Sequence, residues 1–271
     1  VVFAAALTGV LAVALWVLGP APSPILSWLT LVSIGAAVMG ILHASGVQMI
    51  YLWTGALVGA LQVLKNAERL AAILARVPMP SFPTITGKLT FEDAEQMASE
   101  ALVAAETEGT PSVEELSRAQ IAANGYLQSI VAAVAPFFVL GAAGAVSPGH
   151  GRWILATVFV LGIALILVLG GRALADRAAA VTVVGTALAM SGALGLKYAL
   201  SSHNPAISLI VAGLAAALGL AALVVAAVVP QRAFSAPLRK GVEWSEYALL
   251  ALVWPLLLEL LNVYSLARNY L

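Results

Sequence analysis

Residues 153–171 read WILATVFVLGIALILVLGG and contain no charged side chain. A helix that crosses the hydrocarbon core of a bilayer needs roughly 20 mostly apolar residues. Inside lipid, a backbone that is neither helical nor part of a closed barrel leaves its amide groups without hydrogen-bond partners, which costs too much free energy. This stretch therefore predicts a transmembrane helix, and similar stretches recur along the chain.

The composition of the whole chain is typical of a membrane protein. Of its 271 residues, 62% are hydrophobic and 10% are charged, and the mean hydropathy is +1.00. A soluble domain is about 45–50% apolar and about 25% charged, so the composition excludes an ordinary soluble domain and a disordered chain. The net charge of zero does not suggest a nucleic-acid partner. The lack of cysteine excludes disulfides, thiolate metal sites and cysteine nucleophiles.

Eight segments are long and apolar enough to cross a membrane, and none shows the period-two alternation of a barrel strand. Pro-rich connections between some of them predict tight turns. The predicted fold class is therefore all-α, a polytopic helical membrane protein with about eight transmembrane helices and one helical cytoplasmic loop. The predicted spans are approximately 1–18, 26–43, 47–65, 126–146, 153–171, 177–198, 206–229 and 246–268.

These spans divide the chain into three parts. Residues 1–65 are predicted to form a membrane domain of three spans, and residues 126–271 a membrane domain of five spans. Residues 66–125 are predicted to form a cytoplasmic amphipathic helix and an acidic helical loop. Because the chain starts at Val1 without Met or a basic flank, we expect it to be a segment of a longer protein.

The basic residues predict the orientation of the chain in the membrane. If the connections alternate between the two sides, one side receives ten Lys and Arg residues and the other receives three. Cytoplasmic loops are enriched in these residues, so residues 66–125 are predicted to be cytoplasmic and the C-terminus periplasmic. The ten are Lys65, Arg69, Arg76, Lys88, Arg118, Arg172, Arg177, Arg232, Arg239 and Lys240, and the three are Arg152, Lys197 and Arg268.

The polar segment 66–125 begins with an amphipathic pattern. Leu70, Ile73, Leu74 and Val77 recur at helical spacing among basic residues. We expect this helix to lie at the cytoplasmic surface of the membrane. Capping signals predict two further helices, the second of which continues into the fourth span.

Residues 92–115 carry eight of the thirteen acidic residues of the chain. Such a run forms either a solvated face or a docking surface for a basic partner, and the sequence leaves both interpretations open. Each predicted helix is too short to be stable alone in water, so its apolar side chains need a covering surface. The candidate partner-docking residues are Glu92, Asp93, Glu95, Glu100, Met97, Val113 and Leu116.

No group of residues predicts catalysis, a cofactor site or a metal site. Gly87-Lys88 lacks the further glycine and the hydroxyl residue of a phosphate-binding loop. The histidines, which are His43, His150 and His203, share no helix face and have no carboxylate beside them. We therefore expect a protein that is not an enzyme and that needs no cofactor.

Lys197 and Glu259 are ionisable residues within predicted spans. Charges inside a membrane are costly, and they are usually paired or functional. Because the two lie at similar predicted depth, we expect them to approach each other near the outer leaflet. The alternatives are that Glu259 is a structural partner for another helix or forms a proton or substrate site, and that Lys197 extends to the lipid headgroups.

Three stretches resemble the EccD family, the polytopic membrane components of actinobacterial type VII (ESX) secretion systems. They are residues 70–80 (LAAILARVPMP) with Pro83 after them, residues 118–127 (RAQIAANGYL), and the C-terminal stretch 246–268. The eight spans would correspond to the last eight of the family, with the long loop in the matching place. The ubiquitin-like domain and about three N-terminal spans of the family are absent from this sequence.

The resemblance implies a non-catalytic scaffold in the inner (cell) membrane. In the family, two such subunits pair around an apolar, lipid-accessible cavity and surround the secretion ATPase and the other core subunits. The implied partners are thus a second EccD-like subunit, membrane lipids, and the core subunits of the EccB, EccC and EccE types. A secondary transporter or permease for a small solute is the alternative, which would require polar groups that converge near the midplane of the membrane.

Overall fold

In the computed structural model the apolar runs among the described residues form helices, because a helix satisfies its own backbone groups in lipid. The structure describes residue 13 and residues 24–76, 113–171, 174, 176–201, 204–228 and 236–263. These residues contain eight helices and no strand, which confirms the all-α fold class. The helices are α1 (Pro24–Ala44), α2 (Met49–Lys65), α3 (Ala67–Leu74), α4 (Val113–Ala145), α5 (Trp153–Gly171), α6 (Arg177–Ser201), α7 (Pro205–Val228) and α8 (Ala236–Leu260).

The helices coincide with the predicted spans. Five stretches are long and apolar enough to cross a membrane: Ile25–Ala44, Ser117–Ala145, Trp153–Gly171, Arg177–Ser201 and Lys240–Leu260. Two shorter apolar helices, α2 and the Pro205–Leu220 part of α7, match two further predicted spans. The remaining predicted span, 1–18, lies outside the described residues except for residue 13. The chain is a multi-pass membrane protein.

Two helices have different limits from the predicted spans. Helix α4 is one continuous helix of 33 residues that starts at Val113, so the last predicted loop helix does run into the membrane. Helix α8 starts at Ala236, ten residues before the predicted span 246–268, and ends at Leu260, and residues 264–268 of that span lie outside the described residues. Asn262 follows with a φ of +58°, a left-handed conformation that commonly ends helices.

Helices α4 and α6 form the centre of the bundle. Helix α4 packs against α1, α2, α3 and α6, and α6 also packs against α5 and α7. Helix α8 lies at the edge, against α5 and α2. The largest fully buried side chains include Leu57, Leu61, Ile130, Phe138, Phe159, Ile163, Met190, Leu194 and Tyr198.

Two glycines of α4 receive large side chains of α2. A Cβ atom at Gly144 would overlap the indole ring of Trp53, and one at Gly141 would lie 2.7 Å from Cγ of Leu57. Apolar helices in lipid gain little from burial as such, so close packing of this kind holds them together. These two contacts fix the rotation of α2 about its axis.

Candidate functional site

The largest cavity in the described part of the chain is an apolar groove of about 580 Å³ between α1 and α2, with α4 as its floor. We call it the α1–α2 groove. It is lined by Leu31, Ile34, Gly35, Val38, Met39, Leu42, Val47, Tyr51, Leu52, Gly55, Ala56, Gly59, Ala60, Val63, Ala133, Val134, Phe137 and Leu261. Apart from the hydroxyl of Tyr51, every lining side chain is apolar, so the groove suits apolar contacts and not a polar solute.

The groove stays open because α2 has two different faces. Trp53 and Leu57, one helical turn apart, point into α4. Gly55 and Gly59, also one turn apart, lie on the groove side, and no atom lies within 4 Å of a Cβ built at either position. The packing of the large residues thus turns the small residues of α2 toward the cavity.

Hydrogen bonds and an ion pair hold α8 at one end of the bundle. A side-chain amide N–H of Asn262, just after α8, donates to the hydroxyl oxygen of Tyr51 at 3.0 Å. The guanidinium of Arg152, just before α5, pairs with the carboxylate of Glu259 at 2.8 Å and also donates to the Glu259 backbone carbonyl. These contacts connect the end of α8 to the starts of α2 and α5.

A second ion pair holds α8 near its middle. The ammonium of Lys65, the last residue of α2, pairs with the carboxylate of Glu246. The pair lies over Gly170 of α5, where a Cβ atom would be 3.4 Å from the Lys65 nitrogen. Glu246 and Glu259 are separated by about 20 Å along the helix axis, at 1.5 Å per residue. We call these two sets of contacts, near the middle and at the end of α8, the α8 clamp.

The expectation that Lys197 pairs with Glu259 is corrected by the structure. Glu259 takes Arg152 as its partner, and no ion pair of Lys197 is found within the described residues. The reason is the helix arrangement, since α6, which carries Lys197, packs against α4, α5 and α7, whereas α8 packs against α5 and α2. Lys197 lies near the end of α6, where a lysine can extend to the headgroups.

Most of the candidate docking residues lie where the structure gives no description. Glu92, Asp93, Glu95, Glu100 and Met97 are outside the described residues. Val113 and Leu116 belong to the first turns of α4, but their side chains are likewise outside the described part. Nearby, Glu114 pairs with Arg118 one turn later, and both side chains are more than three-quarters exposed. An ion pair so exposed contributes little stability.

Buried hydroxyl groups in the membrane helices are satisfied locally. Five of them donate to a backbone carbonyl four residues earlier in the same helix, as in Thr54 to Ile50 at 2.7 Å. The same pattern holds at Ser129, Thr157, Thr186 and Ser191. Between helices, Thr157 and Tyr198 share a hydrogen bond across α5 and α6. Polar groups in the described part of the chain therefore do not converge on a solute site at the midplane of the membrane.

The described residues contain no group of histidine, cysteine or carboxylate side chains that could hold a metal ion. His150 contacts the backbone carbonyl of Pro148 at 3.2 Å. His203 lies outside the described residues. The sequence did not predict the contacts of the α8 clamp. The sequence feature that could have indicated them is that Lys65 and Arg152 flank predicted spans.

The loop before α6 carries a well-formed helix cap. The carboxylate of Asp176 accepts a hydrogen bond from the backbone N–H of Ala179 at 2.9 Å and one from the amide of Gln128 in α4 at 3.0 Å. The Ala179 N–H is the main cause that holds the pKa of Asp176 below its usual value; burial opposes it, and the Gln128 amide adds a smaller lowering effect. The cap thus also connects α6 to α4.

We expect Asp176→Ala to lower the free energy of unfolding by about 1 kcal/mol at pH 7, because α6 loses its N-cap. Since the folded pKa lies below the ordinary value of 3.8, the advantage of aspartate should persist above that value and disappear as the pH falls through the folded pKa. Thermal melts of both proteins in detergent, at neutral pH and at stepwise lower pH, measure this. A difference that grows on acidification would contradict the prediction.

Comparisons with known proteins agree with one another. A sequence model described as "EccD-like transmembrane domain" matches residues 1–270. The chain is 31% identical over 209 residues to the ESX-5 secretion system protein EccD5 of Mycobacterium tuberculosis (strain ATCC 25618 / H37Rv), covering 74% of this chain and 41% of that protein. It is 31% identical over 202 residues to EccD5 of Mycobacterium marinum (strain ATCC BAA-535 / M), covering 72% and 40%. The chain thus spans less than half the length of these relatives.

A solved structure has a similar fold. A chain in the "Structure of protomer 1 of the ESX-3 core complex" superposes with a TM-score of 0.73 at 20% sequence identity, covering 98% of this chain and 57% of that chain. At this level of identity the match speaks to the arrangement of the helices.

Proposed function

The chain belongs to the EccD-like transmembrane family, and on that premise we propose that it is a structural membrane subunit of a type VII (ESX) protein secretion complex. The observation that carries the proposal is that the family match takes in residues 1–270, which is nearly the whole chain. The apolar interior and the locally satisfied hydroxyl groups support a scaffold and not a catalyst. In this role the chain has no enzymatic activity of its own.

As a scaffold, the chain pairs with a second copy around an apolar, lipid-accessible space. It contacts the secretion ATPase and other core subunits of the complex. The open α1–α2 groove supports this role because it presents a large apolar surface and small side chains on one side of the bundle. The transporter alternative is not favoured, since a solute site would need polar groups that the described spans do not bring together.

Extraction of the native complex in mild detergent tests the proposed role. We expect the chain to migrate in a large assembly that contains a secretion ATPase and a second copy of the chain. Recovery of a lone protein that binds a small solute would contradict the scaffold and support the transporter.

We propose that residues 66–125 face the cytoplasm and that the C-terminus faces the periplasm. The distribution of basic residues supports this orientation. The chain has no cysteine, so a single introduced cysteine reports on one position. An impermeant thiol reagent should label a cysteine at Ser147 or Ser202 in intact cells and spare one at Ser112 or Ser235. The reverse labelling pattern would overturn the orientation.

We further propose that the acidic segment docks a basic surface of another subunit. Replacing Glu92, Asp93, Glu95 and Glu100 together with lysine should leave the membrane helices folded but loosen the assembly, most strongly at low salt, because salt screens the repulsion between the new lysines and a basic partner. The measurement is the subunit composition of the purified complex across a salt series. If composition and salt resistance are unchanged, the acidic segment is only a solvated face.

A further inference from the structure

Helix α3 follows α2 almost directly along the chain. Only Asn66 separates the last residue of α2, Lys65, from the first residue of α3, Ala67, and the Asn66 side chain caps α2 by donating to the Gln62 carbonyl at 2.8 Å. The 17 residues of α2 span about 25 Å, close to the hydrocarbon thickness of a bilayer. The short link therefore keeps α3 at the level of the lipid headgroups.

The orientation of α3 about its axis is fixed by two alanines. Ala67 and Ala71, one turn apart, are buried, and α3 packs against α4. At 100° per residue, Leu70 and Ile73 lie on one flank of this buried face and Glu68 on the other. Glu68 lines a small cavity beside Lys65 and Gly170, so its carboxylate lies away from the apolar flank.

The apolar flank of α3 is exposed next to basic side chains. Ile73 is 56% exposed and Leu70 is 37% exposed. The exposed Arg69 lies opposite the buried alanines, and the exposed Arg76 follows the end of the helix with a φ of +49°. Within the described residues, neither arginine forms an ion pair with a carboxylate. Two exposed apolar side chains with basic groups beside them are typical of a helix that lies in a membrane surface.

From this arrangement we propose that α3 binds anionic lipids of the leaflet at which α2 ends. Leu70 and Ile73 insert between the upper acyl chains, and Arg69 and Arg76 donate hydrogen bonds to lipid phosphate groups. A planar guanidinium can contact two phosphate oxygens at once, which suits this role. The proposal does not depend on the partners of the chain or on which side of the membrane α3 lies.

A depth measurement tests the position of α3. The experiment uses the purified protein in nanodiscs of phosphatidylcholine with phosphatidylglycerol, with a nitroxide on Ile73→Cys and, as a control in water, on Glu114→Cys. We expect the label at position 73 to collide with oxygen and to be shielded from a water-soluble nickel complex, and the label at 114 to show the reverse. Equal access of the nickel complex to both labels would overturn the proposal, as would an immobile label at 73 that neither reagent reaches, because a protein partner would then cover α3.

Lipid selectivity tests the role of the arginines. Native mass spectrometry measures the phosphatidylglycerol retained by the protein from mixed nanodiscs. The change Arg69→Gln with Arg76→Gln should weaken retention roughly fivefold per arginine, hence about twenty-five-fold in total. The matched control, Arg118→Gln, removes an exposed arginine whose partner is Glu114 and should leave retention unchanged. Equal retention by the double variant and the unaltered protein would exclude phosphate recognition.

Discussion

Replacing Gly144 with alanine is expected to lower the free energy of unfolding by about 1–3 kcal/mol, because the new methyl group overlaps the indole ring of Trp53. The overlap includes Cγ at the base of the ring, so either the half-buried indole must change its rotamer or the two helices must shift apart. The fall should appear as a loss of several degrees in the melting temperature in detergent, at about 2–4 °C per kcal/mol for proteins of about this size.

A control substitution at another glycine and a second substitution at Trp53 test this prediction further. At Gly162 in α5, no atom lies within 4 Å of a built Cβ, so Gly162→Ala should be neutral or slightly stabilising. Adding Trp53→Leu to Gly144→Ala should cost less than the sum of the two single changes, since the smaller side chain relieves the overlap. Strict additivity, or equal losses at 144 and 162, would show that the Trp53–Gly144 contact does not hold α2 in place.

Neutralising Glu246 is expected to destabilise the attachment of α8 by about 1–3 kcal/mol. Removing one partner of a fully buried ion pair costs about 3–5 kcal/mol. The figure is discounted here because the Lys65 side chain is 30% exposed and its charge is partly screened by solvent. The Glu246 side chain is only 14% exposed, so Glu246→Gln leaves the lysine without its partner in a largely dry site. Melting of the purified protein measures the loss.

A double-mutant cycle separates the ion pair from general damage. Lys65→Met with Glu246→Gln should be more stable than the sum of the single losses, because no charge is left unpaired. The same substitution at Glu114, whose pair with Arg118 is fully in solvent, should cost no more than about 0.5 kcal/mol. Equal effects at 246 and 114 would contradict an energetic role for this end of the α8 clamp.

These contacts matter for a scaffold because α8 lies at the edge of the bundle and little of its surface is buried. Trp244 and Tyr247 on its surface are each more than two-thirds exposed, so lateral packing alone covers little of it. The two sets of contacts in the clamp therefore fix the position of α8 against α2 and α5. A subunit on which other proteins assemble needs such fixed edges. A mobile helix at the interface would lose conformational entropy on assembly, which would weaken the association.

The sequence by itself determined that this is a membrane protein and where the described apolar helices lie. It also determined that the loop helix, which begins at Val113, continues into the membrane. These are local properties, since apolarity over about 20 residues and a capping signal act within a single segment. The family resemblance also came from short local stretches, such as residues 70–80. The start of α8 was less well predicted, because charged residues near a span can join the helix, and the left-handed Asn262 interrupts the helix after Leu260.

Only the tertiary structure decided which residues meet. The partners lie far apart in the sequence. Glu246 pairs with Lys65 across 181 residues, Glu259 contacts Arg152 across 107 residues, and Asn262 contacts Tyr51 across 211 residues. The sequence predicts similar depths in the membrane for Glu259 and Lys197, which suggested that they pair. Depth alone does not determine which helices are neighbours, and the helix arrangement places Glu259 beside Arg152. The α1–α2 groove likewise follows from the insertion of Trp53 and Leu57 into glycine positions of α4, which turns the small residues of α2 toward open space.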